Sequence, residues 1–345
     1  MRVVIIGAGA MGGFLGARLA ATGHEVTLVD TWVEHVDAIN QHGLRIDGAD
    51  DTPVRYRVLA ATTAPALDDV DLIIVQVKTY DTVAALTPIA NRLQSDTFVL
   101  SLQNGIGNVE LMQRALPRHA RILLGTTAHG AAVVAPGYIK HAGRGQTVIG
   151  DPGSVVGPRW DLTPIRDALT QAQVETRIAE NVHAAVWAKL IVNASINALT
   201  ALTGVRNGQI LENADLRHMA DTVISEALAV MDAAGVPPLL TNHRAHAHEV
   251  MRLTGSGPSS MLQDIRRGRR TEIDAINGAI SRLADELGVP APVNHWLTAM
   301  VRFRERDAMR EQRENPRSHD HTVRLEREAA DCATESGDDT NDRDT

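Results

Sequence analysis

A chain of 345 residues with 44% apolar content is long for one hydrophobic core, so two domains are expected. Its formal charge of -8 argues against a general nucleic-acid binder, which would carry a basic face. The single cysteine, Cys332, excludes an intramolecular disulfide and a cysteine-rich zinc site.

Residues 2–6 (RVVII) predict a short strand. GAGAMG follows at 7–12, then an Ala/Leu-rich helix that runs to Thr22, with Gly23 as its stop. Residues 25–29 (EVTLV) predict a second strand ending at Asp30, which completes a βαβ unit. Because the fold starts at Arg2, no signal peptide is expected and a reducing cytoplasm is the simplest location. Gly7, Gly9 and Gly12 match G-x-G-x-x-G, with Ala8, Ala10 and Met11 between them. In that pattern the first glycine permits a tight turn and the second lets backbone approach a pyrophosphate. The third allows close helix–strand packing. The start of the next helix adds free N–H groups and a positive dipole end. The pattern alone is weak, and a glycine-rich turn without a ligand is the alternative. Its place between strand and helix points to dinucleotide binding.

Asp30 lies eighteen residues beyond Gly12. A carboxylate there accepts hydrogen bonds from the ribose hydroxyls of NAD and repels a 2′-phosphate. No arginine follows at 31–34 (TWVE), so NADH is expected to be favoured over NADPH. Further strands are predicted at 71–77, 97–102 and 121–125, apolar enough for a parallel sheet covered on both faces. Lys78 ends the first of these, on the ligand-binding edge, from where it could reach the adenosine side. If Lys78 met a 2′-phosphate there and Asp30 turned away, the cofactor preference would reverse. Beyond Thr127 the pattern becomes glycine-rich and antiparallel, through 147–150 and 173–178.

After about residue 181 the period becomes helical. Helices are expected over 182–202, 213–234, 241–253, 259–287 with interruptions, and 293–313. The stretch 184–202 reads as a buried helix rather than a membrane span, because it contains a lysine, two asparagines, a serine and a threonine. The run Arg266-Arg267-Gly268-Arg269-Arg270 reads as a solvated helix end. His243, His246, His248 and Glu249 lack an H-x-x-x-H pair, and no metal is expected. Trp187 and Trp296 are expected to anchor the core or a domain interface. From Glu314 the composition is polar and acidic, as in a disordered tail.

Of the 34 basic residues only three are lysine: Lys78, Lys140 and Lys189. Arginine stays protonated at any relevant pH, whereas burial can tune an amine to release a proton. Lys189 is the only charged residue between Ala184 and Leu202. Asn193 and Asn197 follow at i+4 and i+8, which puts all three on one stripe. Each mid-helix asparagine costs roughly 0.5–0.7 kcal/mol against alanine, so the amides are expected to have a buried task. A ligand and a structural helix–helix hydrogen bond both fit that spacing. SLQNGIG (101–107) places Asn104 after a strand of the nucleotide domain. GVRNGQIL (204–211) places Asn207 in a turn. SSMLQDIRRGRRTEIDAING (259–278) holds Ser259, Ser260 and Glu272.

Together GAGAMG, VKTYDT (77–82), LQNGIG (102–107), GTTAHGA (125–131), WAKLIVNASINALTALTGVRNGQIL (187–211) and SMLQDIRRGRRTEIDAINGAI (260–280) resemble the ketopantoate reductase family over about residues 1–305. The resemblance implies an α/β Rossmann-type domain followed by an all-α domain of 6-phosphogluconate-dehydrogenase-like architecture, with the active site between them. On this chain that means a dinucleotide-binding domain at 1–180, a helical substrate or dimerisation domain at 181–313 and a tail at 314–345. It implies reduction of 2-dehydropantoate to (R)-pantoate, on the route to pantothenate and coenzyme A, usually with NADPH. Lys189 is then the proton donor. Asn104 sits between cofactor and substrate, and Asn193, Asn197, Asn207 and Ser260 hold the substrate. Glu272 lies near the lysine and the nicotinamide ribose, and Lys78 and Ala131 contact the cofactor. Members of the same family reduce other branched or aromatic 2-keto acids with NADH, so a D-2-hydroxyacid (mandelate-type) dehydrogenase is the alternative. A non-catalytic dinucleotide sensor would not be expected to keep Lys189. The expected partner is a small 2-keto acid, with neither nucleic acid nor membrane, and two copies could pair through the helical domain.

Overall fold

In the computed structural model, residues 1–48, 53–154 and 156–314 are described. The strands, numbered in chain order, are β1 (Arg2–Ile6), β2 (Glu25–Val29), β3 (Leu44–Gly48), β4 (Val54–Tyr56), β5 (Leu59–Ala61) and β6 (Leu72–Val75). They continue as β7 (Phe98–Ser101), β8 (Arg121–Thr127), β9 (Gly130–Ala135), β10 (Tyr138–Gly143), β11 (Thr147–Gly150) and β12 (Thr176–Ile178). Helices α1 (Ala10–Ala21), α2 (Val33–His42), α3 (Thr82–Leu86), α4 (Asn108–Ala115) and α5 (Thr163–Gln171) lie between them.

One sheet runs in the order β12-β11-β8-β7-β6-β1-β2-β5. Its centre is parallel, with Ile5 in register with Leu28 on one side and Ile74 on the other. Every residue of β6 is buried, as expected of a strand covered on both faces. The parallel order matters for function: the carboxyl ends of β1, β6 and β7 emerge side by side. They deliver the glycine loop, Lys78 and Asn104 to one edge of the sheet. β11 runs antiparallel to β8, as the pattern beyond Thr127 suggests, but β12 is parallel to β11. The β9–β10 hairpin leaves this sheet altogether. It joins β3 and β4 in a second sheet, ordered β4-β3-β10-β9. Phe14 of α1 stacks on His141 of this sheet at 4.3 Å between ring centroids, which fastens the two layers.

The helical part comprises α6 (Val182–Thr203), α7 (Gln209–Glu212), α8 (Ala214–Ala233), α9 (His243–Leu253), α10 (Ser260–Arg266), α11 (Asn277–Leu287) and α12 (Pro292–Glu314). The Asn181 side chain caps α6 by accepting from the Ala184 N–H. α6 is long and apolar enough to cross a membrane by length and composition, yet most of it is buried within the molecule. Its residues divide between two cores. Val182, Ala185 and Val186 pack with Leu124 and Val148 of the large sheet. Leu190, Ile191, Ala194 and Ala198 pack with Val223 and Ala227 of α8, Met251 of α9 and Val301 of α12. Lys189 therefore falls where one core gives way to the other.

Trp187 is buried in the helical core, as expected. Trp296 is not an anchor: it is 70% exposed, because α12 turns Leu297 and Val301 inward and leaves Trp296, Met300 and Phe303 outside. The tail expected at 314–345 lies outside the described residues from 315 onward.

Gly105 closes the seam between the two parts. Its φ is +83°, and a Cβ there would stand 2.3 Å from the Ala275 carbonyl oxygen, which accepts the Ile106 N–H at 3.0 Å. Gly105→Ala combines a left-handed backbone with a backbone clash and is expected to cost about 2 kcal/mol or more. Urea unfolding measures this; a midpoint equal to wild type would show that the seam relaxes freely.

Candidate active site

The glycine loop is built by close packing on one side and open space on the other. A Cβ at Gly12 would stand 1.8 Å from the Gly7 carbonyl oxygen, and one at Gly7 (φ +99°) 2.6 Å from the backbone of Gln76. A Cβ at Gly9 would meet nothing within 4 Å. The Gly13 N–H reaches back to the Gly9 carbonyl at 2.8 Å, which leaves the first-turn N–H groups of α1 without intrahelical partners. A tight cradle with an open face at its second glycine fits the pyrophosphate of a dinucleotide. Residues 7–12 would hold that group. At the end of β2, Asp30 accepts the Ala8 N–H through Oδ2 (2.8 Å) and the Trp32 N–H through Oδ1 (3.0 Å). Its carboxylate is thereby fixed beside the loop.

Across the seam, six side chains form one connected array. The Lys189 Nζ donates to Asn104 Oδ1 at 3.0 Å and to the Thr127 carbonyl at 2.7 Å. Asn104 Nδ2 donates to Glu272 Oε2 at 3.2 Å. Glu272 Oε1 accepts from the Thr79 N–H and hydroxyl, and Oε2 lies 3.6 Å from the Lys78 Nζ. Lys78 in turn donates to Asp264 Oδ2 at 2.6 Å. Glu272 and Asp264 are both buried.

The two lysines are driven in opposite directions. Burial lowers the Lys189 amine to about 8, only partly opposed by the charge of Glu272. Burial also works against Lys78, but Glu272 and Asp264 overcome it and hold that ammonium above the ordinary lysine range. Burial, opposed by Lys78, pushes the Asp264 carboxyl up. The seam thus contains one permanently charged lysine and one amine poised to exchange a proton near neutral pH.

Of the residues singled out in the sequence, Lys189, Asn104, Glu272 and Lys78 are brought together directly. Asn193 and Asn197 continue the Lys189 stripe, and neither side chain makes a hydrogen bond among the described residues, which leaves both amides free for a ligand. Ser260 is exposed at the start of α10. Its neighbour Ser259 is spent on structure, accepting the Leu262 N–H and the Thr200 hydroxyl. Asn207 is not joined to this array: it is buried and donates to the Thr254 hydroxyl at 3.0 Å. Ala131 lies on β9 opposite His141, packed on the nucleotide-side core. Lys78 departs from the expected reach toward the adenosine side, because the buried pair Asp264 and Glu272 draws its ammonium across the seam. In the basic run, Arg266, Arg269 and Arg270 are exposed as expected of a helix end. Arg267 and Arg270 nevertheless touch the other part of the molecule, at the Val133 carbonyl and the Tyr80 ring. His248 of the histidine cluster bonds Asp221 at 2.8 Å. Asp264 and the Thr127 carbonyl are additions from the structure. Lysine scarcity singles out Lys78 but does not name its carboxylate partner, and a backbone acceptor leaves no trace in sequence.

A Rossmann-type domain joined to a helical domain, with an amine, amides and carboxylates facing each other across the seam, has the layout of a two-domain dehydrogenase. Residues 3–154 match the family model described as ketopantoate reductase PanE/ApbA, and residues 181–305 match its C-terminal counterpart. The chain belongs to the ketopantoate reductase family. It is 35% identical over 307 residues to a 2-dehydropantoate 2-reductase from Halobacterium salinarum, covering 89% of this chain and 100% of that protein. It is 37% identical over 309 residues to the enzyme of that name from Pyrococcus abyssi, covering 88% and 98%. Among solved structures, a PanE/ApbA family ketopantoate reductase from Ralstonia eutropha superposes with a TM-score of 0.81 at 32% identity, covering 89% of this chain and 99% of that one. D-mandelate dehydrogenase with NADH and anilino(oxo)acetate superposes with a TM-score of 0.83 at 30% identity, with the same coverage.

The Lys78–Asp264 pair crosses the seam, so its loss is expected to register in stability. Asp264→Asn should destabilise by about 1–3 kcal/mol, because it leaves a partly buried ammonium short of one partner. The double variant Lys78→Met/Asp264→Leu should lose less than the sum of the two single losses in urea unfolding, Glu272 being left short of its cation in every variant that lacks Lys78. Additive losses would show that the pair is not coupled.

Proposed function

We propose that the chain reduces a 2-keto acid by hydride transfer from a nicotinamide dinucleotide, with 2-dehydropantoate the first substrate to test. The observation that carries this reading is the Lys189 amine, lowered to about 8 and held by Asn104 and the Thr127 carbonyl at the domain seam. On this reading the chain divides near residue 180 into a cofactor-binding part and a substrate-binding part that extends to about 313.

The dinucleotide, when bound, supplies the hydride that adds to the 2-carbon of the keto acid. As the C=O bond becomes an alcohol, negative charge grows on its oxygen. Lys189, as ammonium, stabilises that charge and gives the proton, so the alcohol leaves neutral and the amine recovers its proton from water. Asn193, Asn197 and Ser260 bind the substrate's polar groups as uncharged donors, which leaves the lysine charge to the reacting oxygen. Asn104 holds the amine on one side and Glu272 on the other, so Glu272 acts on Lys189 through one amide as well as through space. Asp30 ends β2 beside the glycine loop, and a carboxylate there disfavours a 2′-phosphate. NADH is therefore the preferred donor.

A second reading, reduction of a different branched or aromatic 2-keto acid with NADH, is favoured by Asp30 together with the likeness to D-mandelate dehydrogenase. A panel of 2-keto acids assayed with NADH and NADPH at equal concentration, followed at the nicotinamide absorbance band, separates the readings. NADH oxidation with 2-dehydropantoate above all others supports the first, and an aromatic keto acid in first place supports the second. A strong NADPH preference would overturn the role of Asp30. Lys189→Ala is expected to lower turnover by about 10²-fold or more while cofactor affinity stays near wild type. A near-normal kcat would remove Lys189 from the chemistry.

A further inference from the structure

His35 lies on α2, outside the array at the seam, and is fully buried. Its two ring nitrogens hold segments far apart in sequence. Nε2 is 3.0 Å from the Ala8 carbonyl oxygen in the glycine loop, and Nδ1 is 3.0 Å from the Gly137 N–H in the β9–β10 turn. A backbone N–H can only donate, so Nδ1 is the acceptor and the ring proton sits on Nε2, donated to Ala8. Burial, opposed by the Ala8 bond and Asp30, keeps the ring below the ordinary histidine range and hence neutral at pH 7. Trp32 stacks over the ring, with centroids 5.0 Å apart and planes 10° apart, and its backbone N–H donates to Asp30 Oδ1.

This fixes more than one carbonyl. The peptide between Ala8 and Gly9 is trans and planar, so its C=O and N–H point in opposite directions. With the carbonyl drawn inward to His35, the Gly9 N–H is turned away from the protein interior. Gly9 is also the loop position whose side-chain direction is empty. The preceding peptide is held as well, because the Ala8 N–H donates to Asp30 Oδ2. We propose that His35 is a positioning residue for the dinucleotide, aiming the Gly9 N–H at the phosphate site through the Ala8 carbonyl. The inference rests on the dinucleotide reading above and adds a residue that touches neither cofactor nor substrate.

Two substitutions separate the ring's two bonds. In His35→Gln the amide nitrogen reaches about as far as Nε2 and keeps the donor to Ala8, while the Gly137 bond is lost. In His35→Asn the amide oxygen stands near Nδ1 and keeps the Gly137 bond, while the donor to Ala8 is lost. Each removes one buried hydrogen bond, so a purely structural role would affect both alike. Equilibrium binding of NADH and NADPH to the full chain without keto acid, read by fluorescence, is the measurement. His35→Asn is expected to weaken the preferred nucleotide by about tenfold, the effect of losing roughly one hydrogen bond. His35→Gln should stay within about threefold of wild type, with thermal midpoints of the two free variants alike. Equal affinities for the two variants, or wild-type affinity in His35→Asn, would overturn the proposal. Gly9→Pro provides an independent arm if His35→Asn does not fold. The Gly9 φ of -57° suits proline, whose ring replaces the N–H with a methylene. Unchanged affinity in Gly9→Pro would also overturn the proposal. If wild type bound neither nucleotide, the dinucleotide reading itself would fail, an outcome distinct from wild-type binding with an unaffected variant.

Discussion

The burial of one amine at the junction of two hydrophobic cores is the constraint on which the rest of the seam depends. α6 begins against the large sheet and continues into the helical bundle, and Lys189 lies where the first packing ends and the second starts. Leaving an ammonium there without partners would be costly. The chain answers with a carbonyl from β8 and an amide from the loop after β7, both supplied by the nucleotide-side sheet. The helix is thereby docked by its functional residue as well as by its apolar face. The same contacts that make the amine tolerable also set the distance between the two parts of the molecule.

Electrostatics then divides the labour between two lysines that are chemically identical. Lys78 faces two carboxylates and keeps its charge, whereas Lys189 faces neutral oxygens and feels Glu272 mainly beyond an amide. Glu272 is shared by both, which couples a fixed charge to a poised one. The arrangement suits a reaction in which a proton must be available near neutral pH and a nearby positive charge must not titrate. The glycine loop is held with comparable care, by Asp30 on the Ala8 N–H and His35 on the Ala8 carbonyl.

Much of this is legible in the sequence where a physical cost marks a residue. Gly7 and Gly12 stand where any side chain would overlap backbone, and two asparagines in an Ala/Ile/Leu helix stand out because they disfavour that helix. The scarcity of lysine draws attention to Lys189 and Lys78, and it does not extend to Lys140, whose place is an exposed position on β10 in register with Asp47. What escapes is structure formed by long-range pairing. α2 (VEHVDAINQH) and β3 (LRIDG) mix charged and polar residues with few apolar ones, β4 and β5 are three residues each, and the second sheet exists only because β10 pairs with β3, Tyr138 in register with Arg45. Asp264 reads as an ordinary helical acid until Lys78, from the other part of the chain, is placed 2.6 Å away. Trp296 looks like an anchor by type, and only the facing of α12 puts it outside.

With only three lysines in the chain, the amines can be observed individually. Nuclear magnetic resonance of protein labelled with ¹⁵N at lysine Nζ, titrated from neutral to alkaline pH, addresses the central claim. Lys189→Met and Lys78→Met serve as assignment controls. The signal missing from Lys189→Met is expected to titrate near 8, while that of Lys78 stays protonated beyond the ordinary lysine range. A Lys189 signal titrating at about 10.4, the value of an unperturbed lysine, would contradict the account.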